Sequence, residues 1–261
     1  MKVLIATPSY GGTVTTEYAV SVINLKAVLA AHGIESQVVF QNLAEIIRVR
    51  NYFATKMLES PDFTHLLFVD ADMQFRHETV LHMLAFEKSV VGCLYPKRVL
   101  DSQKLYQQAQ EEGSFERNYA RTVEFVGEAG VRLFAQANQE SHKGGLSQLE
   151  LVGGRFARST FAGTGLMLIR RDVFSIIKDM CSDLWLDKVS GIYKQWGLES
   201  GVLQCFESLR GEDGVFASED ISFCRRWTEI CGGEIWVDVK DEIGHMGQIM
   251  VQSAFLNRVN K

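Results

Sequence analysis

Short apolar runs alternate with stretches of helical period through the first ninety-five residues. Val3–Thr7 is apolar and stops at Pro8-Ser9-Tyr10-Gly11-Gly12, the pattern of a buried strand running into a loop. From Thr15 to His32, Val22, Leu25, Val28 and Leu29 share one face at helical spacing, with Thr15 or Thr16 to cap the start and Gly33 to end it. Ser36–Phe40 predicts a second strand, and Glu45–Glu59 predicts a helix with Ile46, Ile47, Phe53 and Leu58 apolar. His65–Val69 predicts a third strand, which ends abruptly at Asp70. A helix over His77–Glu87 and a strand over Ser89–Tyr95 extend the layer. This alternation predicts an α/β fold with a parallel sheet and helical crossovers, and such sheets bind ligands at the carboxyl ends of their strands. The Pro8–Tyr10 loop and Asp70 both fall there.

Beyond Pro96 the periodicity weakens. As far as about Gly145 the pattern predicts a β-rich flap, with pieces at Thr122–Val126 and Val131–Phe134 and a solvated polar stretch around Gln107–Glu112. Pattern returns at Leu149–Val152, then at Gly163-Thr164-Gly165 leading into a strand over Leu166–Ile169 and a helix over Asp172–Met180. Cys181–Ala217 reads as loop with a short strand at Val202–Phe206. The last helix starts at Ser218-Glu219-Asp220 and carries Phe223, Trp227 and Ile230 on one face. A strand over Glu234–Val239 and a tail with Gly244-His245-Met246-Gly247 complete the chain. No repeat or low-complexity linker divides it, so residues 1–261 are expected to form one continuous domain.

Composition narrows the function classes. With 46% hydrophobic residues, 22 Gly and 3 Pro in 261, disordered and collagen-like chains are excluded. The net charge of -5 has the wrong sign for gripping nucleic acid through a bulk field. No apolar run reaches the ~18 residues of a membrane span, and the start lacks a basic leader, so a soluble, cytoplasmic protein is expected. The five cysteines, at 93, 181, 205, 224 and 231, include no Cys-x-x-Cys pair and suit free thiols.

Asp70-Ala71-Asp72 is the sharpest local signal. Two carboxylates just beyond a buried strand can share a hard divalent cation with water and phosphate oxygens. At Ser218-Glu219-Asp220, acidic residues in a first helical turn complement the helix dipole, and one of them can also serve as a general base. His245 can add a nitrogen ligand, which Mn2+ accepts more readily than Mg2+. Gly163-Thr164-Gly165 is either a turn into a strand or a place where backbone approaches a ligand. One of Arg48 and Arg50, on the second helix, is placed to face a nucleotide crevice. Elbow and P-loop motifs are both missing, which disfavours serine hydrolases and P-loop NTPases.

In order along the chain, Ala6-Thr7-Pro8-Ser9-Tyr10-Gly11-Gly12, Arg50-Asn51, Thr64–Asp72, Leu94-Tyr95-Pro96-Lys97-Arg98, Gly163-Thr164-Gly165, Ser218–Arg226 and His245 resemble the GT-A class of nucleotide-sugar-dependent glycosyltransferases, in particular small stand-alone bacterial and viral members. The resemblance implies a mixed, mostly parallel Rossmann-like sheet flanked by helices, with a nucleotide-binding half over about 1–95 and an acceptor-binding half over about 96–261. It implies nucleotide contacts from Thr7, Pro8, Tyr10, Arg48, Asn51 and Asp70, and donor-sugar contacts from Gly163, Thr164 and Gly165. Mn2+ or Mg2+ would be held by Asp70, Asp72 and His245. Asp220 would deprotonate the acceptor hydroxyl, with Glu219 orienting a sugar or acceptor hydroxyl, and inversion is favoured over retention. A UDP- or GDP-sugar is the implied donor, and the acceptor is left open among glycan, protein and other hydroxyls. A sugar-1-phosphate nucleotidyltransferase and a non-catalytic nucleotide-sugar-binding or carbohydrate-binding protein are the rival readings. For residues 96–150 the implied role is acceptor contact or a lid.

Overall fold

A computed structural model describes residues 1–100, 102–110, 115–138, 149–211, 214–247 and 250–253. Its elements, in order, are β1 (Lys2–Pro8), α1 (Thr16–Ala31), β2 (Glu35–Gln41), α2 (Ile46–Glu59), β3 (His65–Val69), β4 (Met73–Gln74), α3 (His77–Ala85), β5 (Val90–Cys93) and β6 (Tyr95–Leu100). They continue with α4 (Ser102–Ala109), α5 (Phe115–Thr122), β7 (Val123–Val126), α6 (Glu128–Asn138), β8 (Phe156–Ser159), β9 (Leu166–Arg170) and α7 (Arg171–Met180). The last are β10 (Trp185–Leu186), α8 (Gly191–Gln195), β11 (Val202–Leu203), α9 (Glu219–Arg225), β12 (Ile235–Asp238), β13 (Ile243–Met246) and β14 (Met250–Ser253).

Seven strands form the central sheet in the order β2-β1-β3-β9-β5-β12-β8. The β2, β1, β3, β5 and β12 strands run one way, and β9 and β8 run against them. The fold class is therefore α/β with a mixed, mostly parallel sheet between helices. Because neighbouring residues in a strand point to opposite faces, each strand feeds two cores. Leu4, Ala6, Leu66, Phe68, Met167 and Ile169 pack with Val49, Phe53 and Met57 of α2 and with α7 and α9. Val3, Ile5, Leu67, Val69, Leu166 and Leu168 pack with Tyr18, Val22, Leu25 and Leu29 of α1 and with α3.

The first seventy residues follow the sequence pattern closely. Thr15 caps α1 by accepting from the Tyr18 amide, and Gly33 leaves the helix at φ 69°. In α2 the buried stripe is Val49, Phe53 and Met57, so Ile46, Ile47 and Leu58 lie on its margin.

Several expectations are corrected. The strand expected over Ser89–Tyr95 is cut at Leu94, whose amide bonds the Asp238 carbonyl, and Tyr95 begins β6, which leaves the main sheet to pair with β7. The segment after Pro96 is largely helical. Val131–Phe134 lies inside α6, where Arg132 and Glu128 pair at i,i+4 and Val131 is buried. The parts of the flap reading at 111–114 and 139–145 lie outside the described residues. Leu149–Val152 forms only an isolated bridge from Val152 to Phe156, and the strand itself is β8. The α9 helix widens into a π turn at Arg226–Ile230, with the Cys231 amide bonded five residues back to the Arg226 carbonyl. This rotates Ile230 into solvent while Phe223 and Trp227 stay buried. His245 lies on strand β13, where a tail was expected.

Among the described residues no helix is long and apolar enough to cross a membrane.

Candidate active site

Strand β3 delivers Asp70 to the carboxyl edge of the sheet, and the 70–72 turn is fixed there from three sides. The Asp70 amide donates to the Gly165 carbonyl at 3.0 Å, Thr15 donates its amide to the Ala71 carbonyl at 2.9 Å, and the Met246 amide donates to the Asp72 carbonyl at 2.8 Å. Strand β4 follows at once and pairs with β13, setting His245 opposite Met73. That register brings His245 Nε2 to 3.5 Å from Asp72 Oδ1.

The imidazole is oriented by its other nitrogen, since Nδ1 lies 2.8 Å from the Pro96 carbonyl and must donate to it. Nε2 is the nitrogen left to face Asp72: as the imidazolium it donates to the carboxylate, and in the neutral ring its lone pair is available to a cation placed between the two. Arg98 Nη1 holds the other Asp72 oxygen at 2.8 Å. Burial alone would raise the Asp72 carboxyl, but His245 and Arg98 outweigh it and its pKa lies below the ordinary value.

Asp70 faces the opposite way, toward Arg50. One guanidinium Nη2 donates to Asp70 Oδ1 at 3.1 Å while Nε donates to Glu219 Oε1 at 3.3 Å, so a single buried side chain joins the 70–72 turn to the start of α9. The guanidinium lies 5.1 Å from the Phe68 ring centroid, and its remaining nitrogen, Nη1, is buried without a hydrogen-bond partner. Desolvation opposes its charge, but Asp70 and Glu219 outweigh this and hold Arg50 firmly protonated. Next along α9, Asp220 Oδ1 accepts from Ser218 Oγ and from the Ile221 amide.

Tyr95 underlies the whole arrangement. Its phenol accepts from the Gly165 amide at 3.1 Å, and its ring meets His245 edge-on at 5.4 Å. A Cβ at Gly163 would collide with its hydroxyl and with Val126, and one at Gly165 would come within 2.7 Å of its ring. These glycines are thus required by Tyr95 itself. Burial, and then the neighbouring Asp70, push the phenol far above its ordinary pKa, so it stays a neutral hydrogen-bonding group.

The crevice in front of this cluster is lined by Pro8, Tyr10, Thr15, Leu43, Ile46, Asp70, Asp72 and Arg98. Of the residues singled out in the sequence, Pro8, Tyr10, Asp70 and Asp72 line it. His245 adjoins it through Asp72, and the Glu219–Asp220 helix start through Arg50. Others do not reach it. Thr7 is fully buried and bonded to the Tyr18 hydroxyl, because its side chain points under α1. Arg48 pairs with Glu45 at 2.6 Å and borders a neighbouring cavity with Tyr193 and Glu207. Asn51 is fully buried, donating to Glu207 and accepting from the Phe206 amide, so it anchors the 203–207 segment. Thr164 is buried behind the Gly163–Gly165 turn. Of Arg48 and Arg50, one was expected to face the crevice, and Arg50 instead pairs with Asp70 and Glu219, while Tyr95 and Arg98 lay in the Leu94–Arg98 motif with no role assigned.

Among the described residues no group of three or more His, Cys, Asp or Glu is gathered closely enough to hold a metal ion, and Asp70 is bonded to Arg50. The two donors that do adjoin, one oxygen and one nitrogen, fit a cation such as Mn2+ whose other ligands come from water and a bound molecule.

No protein-family model and no curated protein sequence matches the chain. Among solved structures it is similar to the crystal structure of A197 from STIV, at 14% identity and a TM-score of 0.45, over 97% of this chain and 94% of that one. It is also similar to the crystal structure of GalNAc-T7 with UDP, GalNAc and Mn2+, at 12% identity and a TM-score of 0.44, over 94% of this chain and 43% of that one.

Proposed function

We propose that this chain is a metal-dependent glycosyltransferase that moves a sugar from a UDP- or GDP-sugar to an acceptor hydroxyl with inversion. The observation that carries the reading is that Asp70 and Asp72 line one crevice while His245 and Glu219, from distant parts of the chain, are joined to them through Asp72 and Arg50, with Asp220 next to Glu219 at the helix start. Asp70, Glu219 and Asp72 pair with two guanidinium groups, Arg50 and Arg98, and Asp220 beside them is bonded to Ser218 and Ile221 instead, a negative balance that a divalent cation would offset.

Asp72 and His245 would hold that cation, with Asp70 close by on the same turn. Bound there, it would neutralise a diphosphate leaving group. Pro8, Tyr10, Leu43 and Ile46 supply apolar walls suited to a nucleoside. Asp220 has one oxygen fixed by Ser218 and Ile221, so its other oxygen is free to take the proton of an acceptor hydroxyl. Glu219, fixed by Arg50, sets the direction of α9 at that point.

The test is a thermal-shift series with UDP- and GDP-sugars in the presence of Mn2+, followed by assay of nucleoside diphosphate release. A rise in Tm with one donor, and slow Mn2+-dependent release that Asp72→Ala abolishes, are expected. Pyrophosphate formed from a nucleoside triphosphate and a sugar phosphate would replace this reading by a nucleotidyltransferase. Donor binding without turnover would replace it by a binding protein.

A further inference from the structure

Among the described residues, the crevice past Pro8, Tyr10 and Asp70 is lined by a single cation, Arg98. Other basic side chains nearby are committed elsewhere: Arg48 to Glu45, Arg50 between Asp70 and Glu219, and Lys97 to Glu124. Arg98 differs from Arg50 in being 54% exposed although its contact with Asp72 is short, at 2.8 Å. Its stem lies along Gly247, where even a Cβ would approach to 3.3 Å, so the backbone leaves room for the arginine and for little more.

In this position the guanidinium does for Asp72 what a metal ion would do: it neutralises a carboxylate whose other oxygen faces His245. An ion pair so open to water is weakly held, and the planar fork of an arginine matches phosphate oxygens as well as it matches a carboxylate. We propose that Arg98 is an exchangeable diphosphate subsite. It occupies Asp72 while the crevice is empty and is released to the phosphate oxygens of a nucleoside diphosphate once a divalent cation takes Asp72. This rests on the nucleotide-sugar reading of the site and adds to it a residue with two alternative partners. Arg98 and the cation therefore compete when no nucleotide is bound and act together when one is.

Titration calorimetry on Arg98→Gln tests both halves, because their signs oppose. With Mn2+ alone the variant is expected to bind about three- to tenfold more tightly than wild type, since a competitor for Asp72 is gone. With UDP or GDP at saturating Mn2+ it is expected to bind roughly tenfold more weakly, the scale of one charge-assisted hydrogen bond to phosphate. Arg98→Lys, which keeps the charge but not the fork, is expected to recover part of the nucleotide affinity and to restore the competition. Circular dichroism and Tm matching wild type confirm that both variants fold. Wild-type nucleotide affinity in Arg98→Gln, or weakening of both ligands together, overturns the proposal while leaving the transferase reading intact. A wild-type protein that binds Mn2+ but neither UDP nor GDP overturns the transferase reading, and the diphosphate subsite with it.

Discussion

Asp70 and Asp72 are two residues apart, yet Asp70 faces a guanidinium that is 3% exposed and Asp72 one that is 54% exposed. The Asp70 flank is closed: Arg50 lies over Phe68 and holds two carboxylates from opposite parts of the chain. The Asp72 flank is open, with an imidazole and a half-exposed arginine sharing one carboxylate. In a low-dielectric setting a charge whose partner is removed has nothing to replace it, whereas at an exposed pair water and ions do. The contrast separates a fixed frame, which aligns α9 with the 70–72 turn, from an adaptable contact suited to exchange with a ligand.

The largest effect expected from breaking this division is catalytic. Asp220→Asn should lower turnover by roughly 10²- to 10⁴-fold, the range for loss of a general base, with Mn2+ and donor affinities unchanged by calorimetry. Asp72→Ala should instead abolish Mn2+ binding. Variants that lose turnover and metal together at both positions would merge the two flanks into one.

Stability reads the contrast directly. Arg50→Gln leaves Asp70 and Glu219 facing each other and should cost about 3 kcal/mol in urea denaturation, while Arg98→Gln should cost less than about 1 kcal/mol. Equal losses would contradict the difference in burial. Gly165→Ala should cost on the order of 2 kcal/mol by overpacking against Tyr95, and a Tyr95→Leu background should relieve part of that loss. If Gly165→Ala unfolds at the wild-type midpoint, the glycine is not required by the tyrosine.

A pH-dependent effect lies at the far end of β3. Burial, and then Arg170, depress the His65 imidazole to about 4. The folded state therefore prefers neutral His65, and its contribution is fully present above ~6.5, the unfolded value. It is lost as the pH falls from there toward 4, and discounted for partial exposure it amounts to about 1–2 kcal/mol. His65→Gln should flatten the stability profile in that window. An unchanged profile would assign the acid sensitivity to other groups.

How much of this was legible in the sequence depended on whether local pattern and tertiary context agreed. Strands β1, β2 and β3 and helix α1 are set by alternation, a Thr cap and a terminal Gly, all short-range signals. Val131–Phe134 has residues suited to a strand, yet i,i+4 pairing and burial on α6 give a helix. The Asp-x-Asp turn, the acidic helix start and His245 were visible as motifs. The partners of the arginines between them were not, because those of Arg50 follow from which face of α2 is buried, and that of Arg98 from where β6 departs after Leu94. Thr7 and Asn51 show the reverse: each lies within a motif, yet its side chain is turned into the core.

The pairing of β4 with β13 carries one more consequence, for biosynthesis. Residue 73 leaves the ribosome long before residue 245, so a nascent chain can complete β1, α1, β2, α2 and β3 while Asp72 still lacks its imidazole. On the metal-dependent reading, affinity for the cation would then arise as a late event, coupled to docking of β13. A chain truncated before Ile243 would be expected to display the acidic turn without its nitrogen ligand.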